Sequence, residues 1–164
     1  MLPIIKQIPQ TNQLNAELET LILQERERFP GCKLGVGTGW SGLKSFLEID
    51  NPATHVLGFF IHQAIPSPPP WNVCGWPNIM DPGDTISPHD HEHSHLGGKN
   101  LFGGVYYVSC PGEGGRLILH DGDAVEVINP VPGLLVVFDA MQVHSVEEYR
   151  GPGRRVSVGF NCAE

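Results

Sequence analysis

Residues 88–95 read Pro-His-Asp-His-Glu-His-Ser-His, which sets His89, His91, His93 and His95 at every second position. Successive side chains of an extended chain point to opposite sides, so this alternation turns all four imidazoles the same way. Neutral imidazole at that density suits a transition metal such as zinc, iron, nickel or copper. Taken alone, the tract also fits an exposed low-complexity loop with incidental metal affinity. A distant histidine weighs against that reading. His144 lies in the strand-like run Gln142-Val143-His144-Ser145-Val146. Two ligands from the cluster and one from far along the chain meet at one ion wherever the fold sets their strands side by side.

A second constellation follows in Gly153-Arg154-Arg155-Val156-Ser157-Val158-Gly159-Phe160-Asn161. Arg155 and Ser157 alternate with Val156 and Val158, so the two polar side chains share one face of a strand whose other face is apolar. Arginine offers a rigid fork of donors matched to a carboxylate, and a serine hydroxyl adds to the same oxygens. The competing structural reading is a surface Arg in an ion pair beside a solvent-facing Ser.

These residues need strands to position them, and the composition supplies the punctuation. The 164-residue chain carries 20 Gly and 15 Pro, distributed as turns between short apolar runs. The runs are His55–Gln63, Gly104–Ser109, Arg116–His120, Ala124–Ile128, Gly133–Phe138, Gln142–Val146 and Arg155–Phe160. Such spacing predicts a mainly β sandwich or barrel, closed on one N-terminal helix. That helix is predicted over Asn12 to Arg28, from Leu14, Leu18, Leu21, Ile22 and Leu23, with Thr11 or Asn12 as cap and Pro30-Gly31 as stop. Ile65 to Trp71 is a proline-rich connector, read as a loop. The chain is expected to form one domain over 1–164, with a helical segment about 12–29 and a catalytic core about 54–162.

Several function classes are excluded on composition. The formal charge is −8, and no basic run exceeds the Arg154-Arg155 pair. No basic stripe is available to a phosphate backbone or an anionic membrane. No apolar stretch approaches the ~18 residues of a membrane span, and the start MLPIIKQIPQ has neither a basic region nor a long apolar one. A cytoplasmic location is the expectation. Cys32, Cys74, Cys110 and Cys162 lie far apart in sequence and read as free, partly buried thiols. Homodimerisation through the N-terminal segment is compatible with this size, although no heptad encodes it.

The ordered set of motifs resembles the iron(II)- and 2-oxoglutarate-dependent oxygenases, in particular their small bacterial and phage branch. The matching stretches are Trp76-Pro77-Asn78-Ile79-Met80-Asp81-Pro82-Gly83-Asp84 before His89-Asp90-His91, and Gly103-Gly104-Val105-Tyr106-Tyr107-Val108. They continue with Gly114-Gly115-Arg116-Leu117-Ile118-Leu119, then Pro132 to Phe138 before His144, and Arg155 to Asn161. Gly39 to Ser45 is similar as well.

This resemblance implies a double-stranded β-helix, the jelly roll shared with cupins, with an N-terminal helix packed on it. It implies an oxygenase that uses Fe(II), dioxygen and 2-oxoglutarate as co-substrate. Such an enzyme hydroxylates a C–H bond of a small molecule or peptide and releases succinate and CO2. His89 matches the first metal ligand and His144 the distal one. Arg155, with Ser157, matches the grip on the far carboxylate of 2-oxoglutarate, and Tyr107 matches a tyrosine that donates to the same carboxylate.

One position departs from the pattern. The superfamily's second ligand is an Asp or Glu two residues after the first His, and here His91 stands there. The metal ligands are read as His89, His91 and His144. A carboxylate from Asp90 or Glu92, or a shift of register to His91 and His93, remains open at this point. His93 and His95 are read as a loop or lid over the mouth, and Trp40, Trp71, Trp76 and Phe102 as candidate walls of it. His55, His62 and His120 receive no role.

Two other readings compete. A cupin-type three-His dioxygenase or isomerase needs no co-substrate, and Gly83 followed by His89-x-His91 fits the first cupin motif. The Glu expected shortly after is missing, since His95 and Leu96 stand there. The other competitor is a non-enzymatic metal-binding module, in which Arg155 has nothing to hold.

Overall fold

The computed structural model describes residues 3–33, 35–67, 70–92 and 99–163. In chain order the elements are β1 (Ile4–Gln7), α1 (Asn12–Arg28), β2 (Trp40–Ser41), a 3-10 turn (Phe46–Glu48) and α2 (Pro52–Ala64). They continue as β3 (Asn72–Met80), β4 (Ile86–His89), β5 (Asn100–Ser109), β6 (Glu113–Gly114), β7 (Leu117–Asp121) and β8 (Ala124–Ile128). The last are β9 (Leu134–Asp139), β10 (His144–Val146), β11 (Tyr149–Gly151) and β12 (Arg155–Ala163). The larger sheet has the order β1-β9-β5-β12-β3-β2, the smaller β4-β10-β7-β8, and β11 pairs with β6. All named strand pairs are antiparallel. Strands β3, β4, β5, β7, β8, β9, β10 and β12 are divided between two four-stranded layers, and the second and seventh of them, β4 and β10, are neighbours. That is the double-stranded β-helix, as expected.

Side-chain alternation along the larger sheet builds two separate cores. Its outer face presents Val156, Val158, Phe160 and Cys162 of β12, with Ile79, Tyr106, Val108, Leu135 and Val137, to the helices. Leu18 and Ile22 of α1 and Leu57 and Ile61 of α2 complete this layer, all fully buried. Its inner face sets Met80, Tyr107, Val136 and Phe138 against Leu117, Leu119 and Val146 of the smaller sheet. The inner core does not fill the space between the layers, and a cavity opens there.

Helix α1 has the predicted bounds, and its basic last turn carries Arg26, which donates to Asp81 after β3 at 2.9 Å. Thr11 occupies the cap position, yet its hydroxyl makes no capping bond and instead accepts from Asn15 Nδ2 at 3.3 Å. Asn15 is buried because its Oδ1 accepts from Tyr106 Oη at 2.6 Å, which pins α1 to β5.

The run His55–Gln63 is not a strand. It lies inside α2, because Asn51 caps the segment by accepting from Ala53 N at 2.8 Å and Pro52 is pre-set for the first turn. The buried residues Ala53, Thr54, Leu57, Ile61 and Ala64 then follow a helical stripe. So the first strand within the expected core begins at Asn72, while β1 and β2 add edge strands from earlier in the chain. The four cysteines are free, with Cys162 buried and the others half-buried. Among the described residues, no helix is long and apolar enough to cross a membrane.

Tyr106→Phe leaves the Asn15 carbonyl buried without its donor, which costs about 1–3 kcal/mol. Urea unfolding should show that loss, with metal affinity unchanged because Tyr106 faces the helices. A drop in metal affinity of similar size would mean that the two faces of β5 are not separable.

Candidate metal centre and cavity

His144 opens β10 directly opposite His89, the last residue of β4. Their ring centroids are 4.3 Å apart. The chain leaves β4 through Asp90 and brings His91 back to the same side, 5.3 Å from His89 and 4.7 Å from His144. The His91 backbone is held on both sides, its N–H donating to the Ala140 carbonyl at 2.7 Å and its carbonyl accepting from Asn100 Nδ2 at 2.8 Å. One donor atom from each of the three histidines lies within 4.8 Å of the other two, so a single ion can reach all three. Asp90 and Glu92 are not in this group, and His93 and His95 lie outside the described residues.

Two of the rings are already oriented. His89 Nδ1 lies 2.8 Å from the Ser87 carbonyl and His144 Nδ1 2.8 Å from the Gln142 carbonyl. A carbonyl only accepts, so Nδ1 carries the hydrogen in both and Nε2 keeps a free lone pair. Burial, together with the neighbouring imidazoles, pulls the His91 pKa down to about 3. Burial likewise pulls His144 down to about 4. Both are neutral near pH 7 and need shed no proton to bind a cation.

Farther along the cavity stands the opposite electrostatic situation. Arg155 is 2% exposed, yet no carboxylate pairs with it among the described residues. Its Nε donates to the Gly115 carbonyl at 2.9 Å and one terminal nitrogen to Ser157 Oγ at 3.2 Å, while its guanidinium carbon lies 5.0 Å from the Tyr107 ring centre. Tyr107 Oη is buried with no hydrogen-bond partner, and burial pushes its pKa up to about 12, so it remains a neutral donor. Ser157 and Tyr107 are cross-strand partners on β12 and β5, which places the donors of this end together.

The cavity joins the two ends, enclosing about 450 Å³ including its mouth, with His89, His91, His144, Tyr107, Arg155 and Ser157 all in its wall. The structure therefore brings every predicted site residue to one space. Trp76 also lines it, over Gly159, where a Cβ would lie 2.8 Å from the indole. Trp40 instead packs in the outer core and donates to the Phe29 carbonyl at 2.8 Å, and Trp71 stacks edge-on against Phe102 there. His120 pairs with Ser145 Oγ at 2.9 Å.

Two polar residues, one in the wall and one near it, were not singled out from the sequence. Asn78 lines the cavity, its Oδ1 accepting from Ser41 at 2.5 Å. Asn161 is buried on the face of β12 that Arg155, Ser157 and Gly159 share, and its Oδ1 has no partner. Extending that period-two alternation by two steps would have found it.

Compared by sequence, the chain matches no protein-family model and no curated protein. Compared by structure, it is similar to a prolyl-4-hydroxylase of Pseudomonas putida, with a TM-score of 0.68 and 16% identity over 99% of this chain and 92% of the other. It is also similar to the viral collagen prolyl hydroxylase of Paramecium bursaria Chlorella virus-1, solved as a 2-oxoglutarate complex (TM-score 0.66, 12% identity, 99% and 96% covered). A third likeness is to SnoK, the non-haem α-ketoglutarate-dependent carbocyclase of nogalamycin biosynthesis (TM-score 0.74, 11% identity, 99% and 79% covered). The fold is thus the one these oxygenases use.

The depressed histidines give the metal-free protein a definite pH response. Folded values of about 3 and 4 lie below the ordinary 6.5, so the unfolded chain binds more protons in acid. The stability these groups contribute is complete above pH 6.5 and is lost as pH falls from there toward 4. Thermal unfolding of the metal-free protein should show this decline, and His91→Gln should flatten it. Parallel curves for wild type and variant would contradict the assignment.

Proposed function

We propose that the chain is an iron(II)- and 2-oxoglutarate-dependent oxygenase that hydroxylates a small molecule or peptide. The observation that carries this reading is the buried Arg155, a cation with no carboxylate partner among the described residues, which shares a cavity with three imidazoles. Leaving a guanidinium uncompensated is costly, and a dicarboxylate with one end on the metal removes that cost with the other. The unpartnered Tyr107 hydroxyl fits the same carboxylate.

In this reading His89, His91 and His144 hold iron(II), and Arg155, Ser157 and Tyr107 hold the distal carboxylate of 2-oxoglutarate. Bound there, the pair supplies the oxidising power by which dioxygen and 2-oxoglutarate become succinate, CO2 and a hydroxyl group on the substrate. The protein's own contribution is positional. Hydrogen bonds donated to the Ser87 and Gln142 carbonyls aim two Nε2 lone pairs at the ion, and Gly115 and Ser157 hold the Arg155 fork. Val105, Leu117, Phe138 and Val146 in the wall keep water from the space between. Trp76, beside His91 with ring centroids 5.6 Å apart, is placed to meet substrate.

The all-nitrogen donor set favours one alternative, a three-His metal enzyme of cupin type that uses no co-substrate. The two separate at Arg155. Arg155→Met should weaken 2-oxoglutarate binding at least thirtyfold, equivalent to ~2 kcal/mol, and abolish succinate formation. The melting temperature of the metal-free variant should hold or rise, since an unpaired buried charge has gone. Unchanged 2-oxoglutarate affinity in Arg155→Met would overturn the oxygenase reading.

A further inference from the structure

His91 differs from its two companions in how its ring is held. His89 and His144 each give Nδ1–H to the carbonyl two residues earlier, whereas His91 Nδ1 is buried with no partner among the described residues. It lies against β5 at Gly103, where a Cβ would come within 2.6 Å of it. The cross-strand partner of Gly103 is Asn161 on β12, and residues so paired have Cβ positions about 5 Å apart on one face. Asn161 is itself 4% exposed, and its Oδ1 is buried without a donor. A ring nitrogen and an amide oxygen, each without a partner among the described residues, are therefore neighbours in a space closed to water.

We infer that Asn161 is the positioning residue of His91. Its Oδ1 accepts from Nδ1–H, selecting the tautomer and ring angle that leave Nε2 for the metal. The inference rests on the three-His reading of the site. It also accounts for two features at once: a histidine stands where a carboxylate would need no such partner, and Gly103 provides the gap in β5 that admits the imidazole. Ring orientation is ordinarily set by such outer contacts, whose removal lowers metal affinity about 10–100-fold.

The test is cobalt(II) titration of the full chain, read by calorimetry and by the visible d–d spectrum, with melting temperature recorded for each variant. Asn161→Leu, close in volume and without an acceptor, should bind cobalt 10–100-fold more weakly and with a shifted spectrum. Asn161→Asp keeps an acceptor and should bind at least as tightly as wild type. Should the leucine variant not fold, Asn161→Ser, too short to reach the ring, carries the same expectation. Wild-type affinity and spectrum in the acceptor-free variant overturn the inference, as does an equal loss in the leucine and aspartate variants. His144→Ala separates this failure from failure of the premise: if it binds cobalt as wild type does, there is no three-His centre, and the role of Asn161 falls with it.

Discussion

A positive charge buried without a counter-charge among the described residues is the constraint to which the rest of this structure answers. Arg155 sits at the start of the central strand β12, held by one carbonyl and one hydroxyl, under the face of Tyr107. Those contacts fix its fork without neutralising it. The surroundings are neutral as well: burial keeps the Tyr107 phenol protonated, and it pushes the nearby Cys110 thiol up to about 11. The protein is acidic overall, at −8, yet none of its carboxylates forms an ion pair with this guanidinium among the described residues. Folding has kept the site's charge open for a ligand.

The histidines are positioned by sheet register rather than by local sequence. β4 and β10 are hydrogen-bonded neighbours, so His89 and His144 face each other although most of the β-helix separates them in the chain. A slip of one residue in either strand would turn one imidazole out of the cavity. The larger sheet applies the same rule on its own inner face, where Arg155, Ser157, Gly159 and Asn161 run in step with Tyr107, Val105 and Gly103 of β5. Glycine enters this row where bulk must be absent: under the Trp76 indole at Gly159 and beside the His91 ring at Gly103. The outer face of the same strands is largely apolar and is spent on holding α1 and α2.

Much of this was legible because alternation in strands and chemistry in side chains coincide. The histidine tract and Arg155 with Ser157 follow from period-two patterns, and α1 follows from its leucine stripe; alternation sends only one of Tyr106 and Tyr107 inward, and the resemblance chose Tyr107. The helix α2 was missed because the middle of His55–Gln63, Val56 to Ile61, is apolar at every position but Gly58, and so short a run has no visible period. Its signal was the Asn51-Pro52 start, which lies just outside the run. The strands β3 and β4 were obscured by Pro77 and Pro88 and by the glycines of Gly75 and Gly83. Asn161 was hidden for a different reason: an amide draws notice only when its unpaired neighbour is known, and His91 is distant in sequence.

The central claim is that the cavity binds a metal at its histidine end and the free carboxylate of 2-oxoglutarate at its arginine end. Anaerobic addition of iron(II) and then 2-oxoglutarate to the purified protein, followed by visible absorption, tests it most directly. The account predicts no visible band with iron(II) alone and a weak charge-transfer band once the keto acid is added, saturating as the site fills. Tight iron binding without any band on adding 2-oxoglutarate would contradict it and leave a three-His metal site that takes no co-substrate.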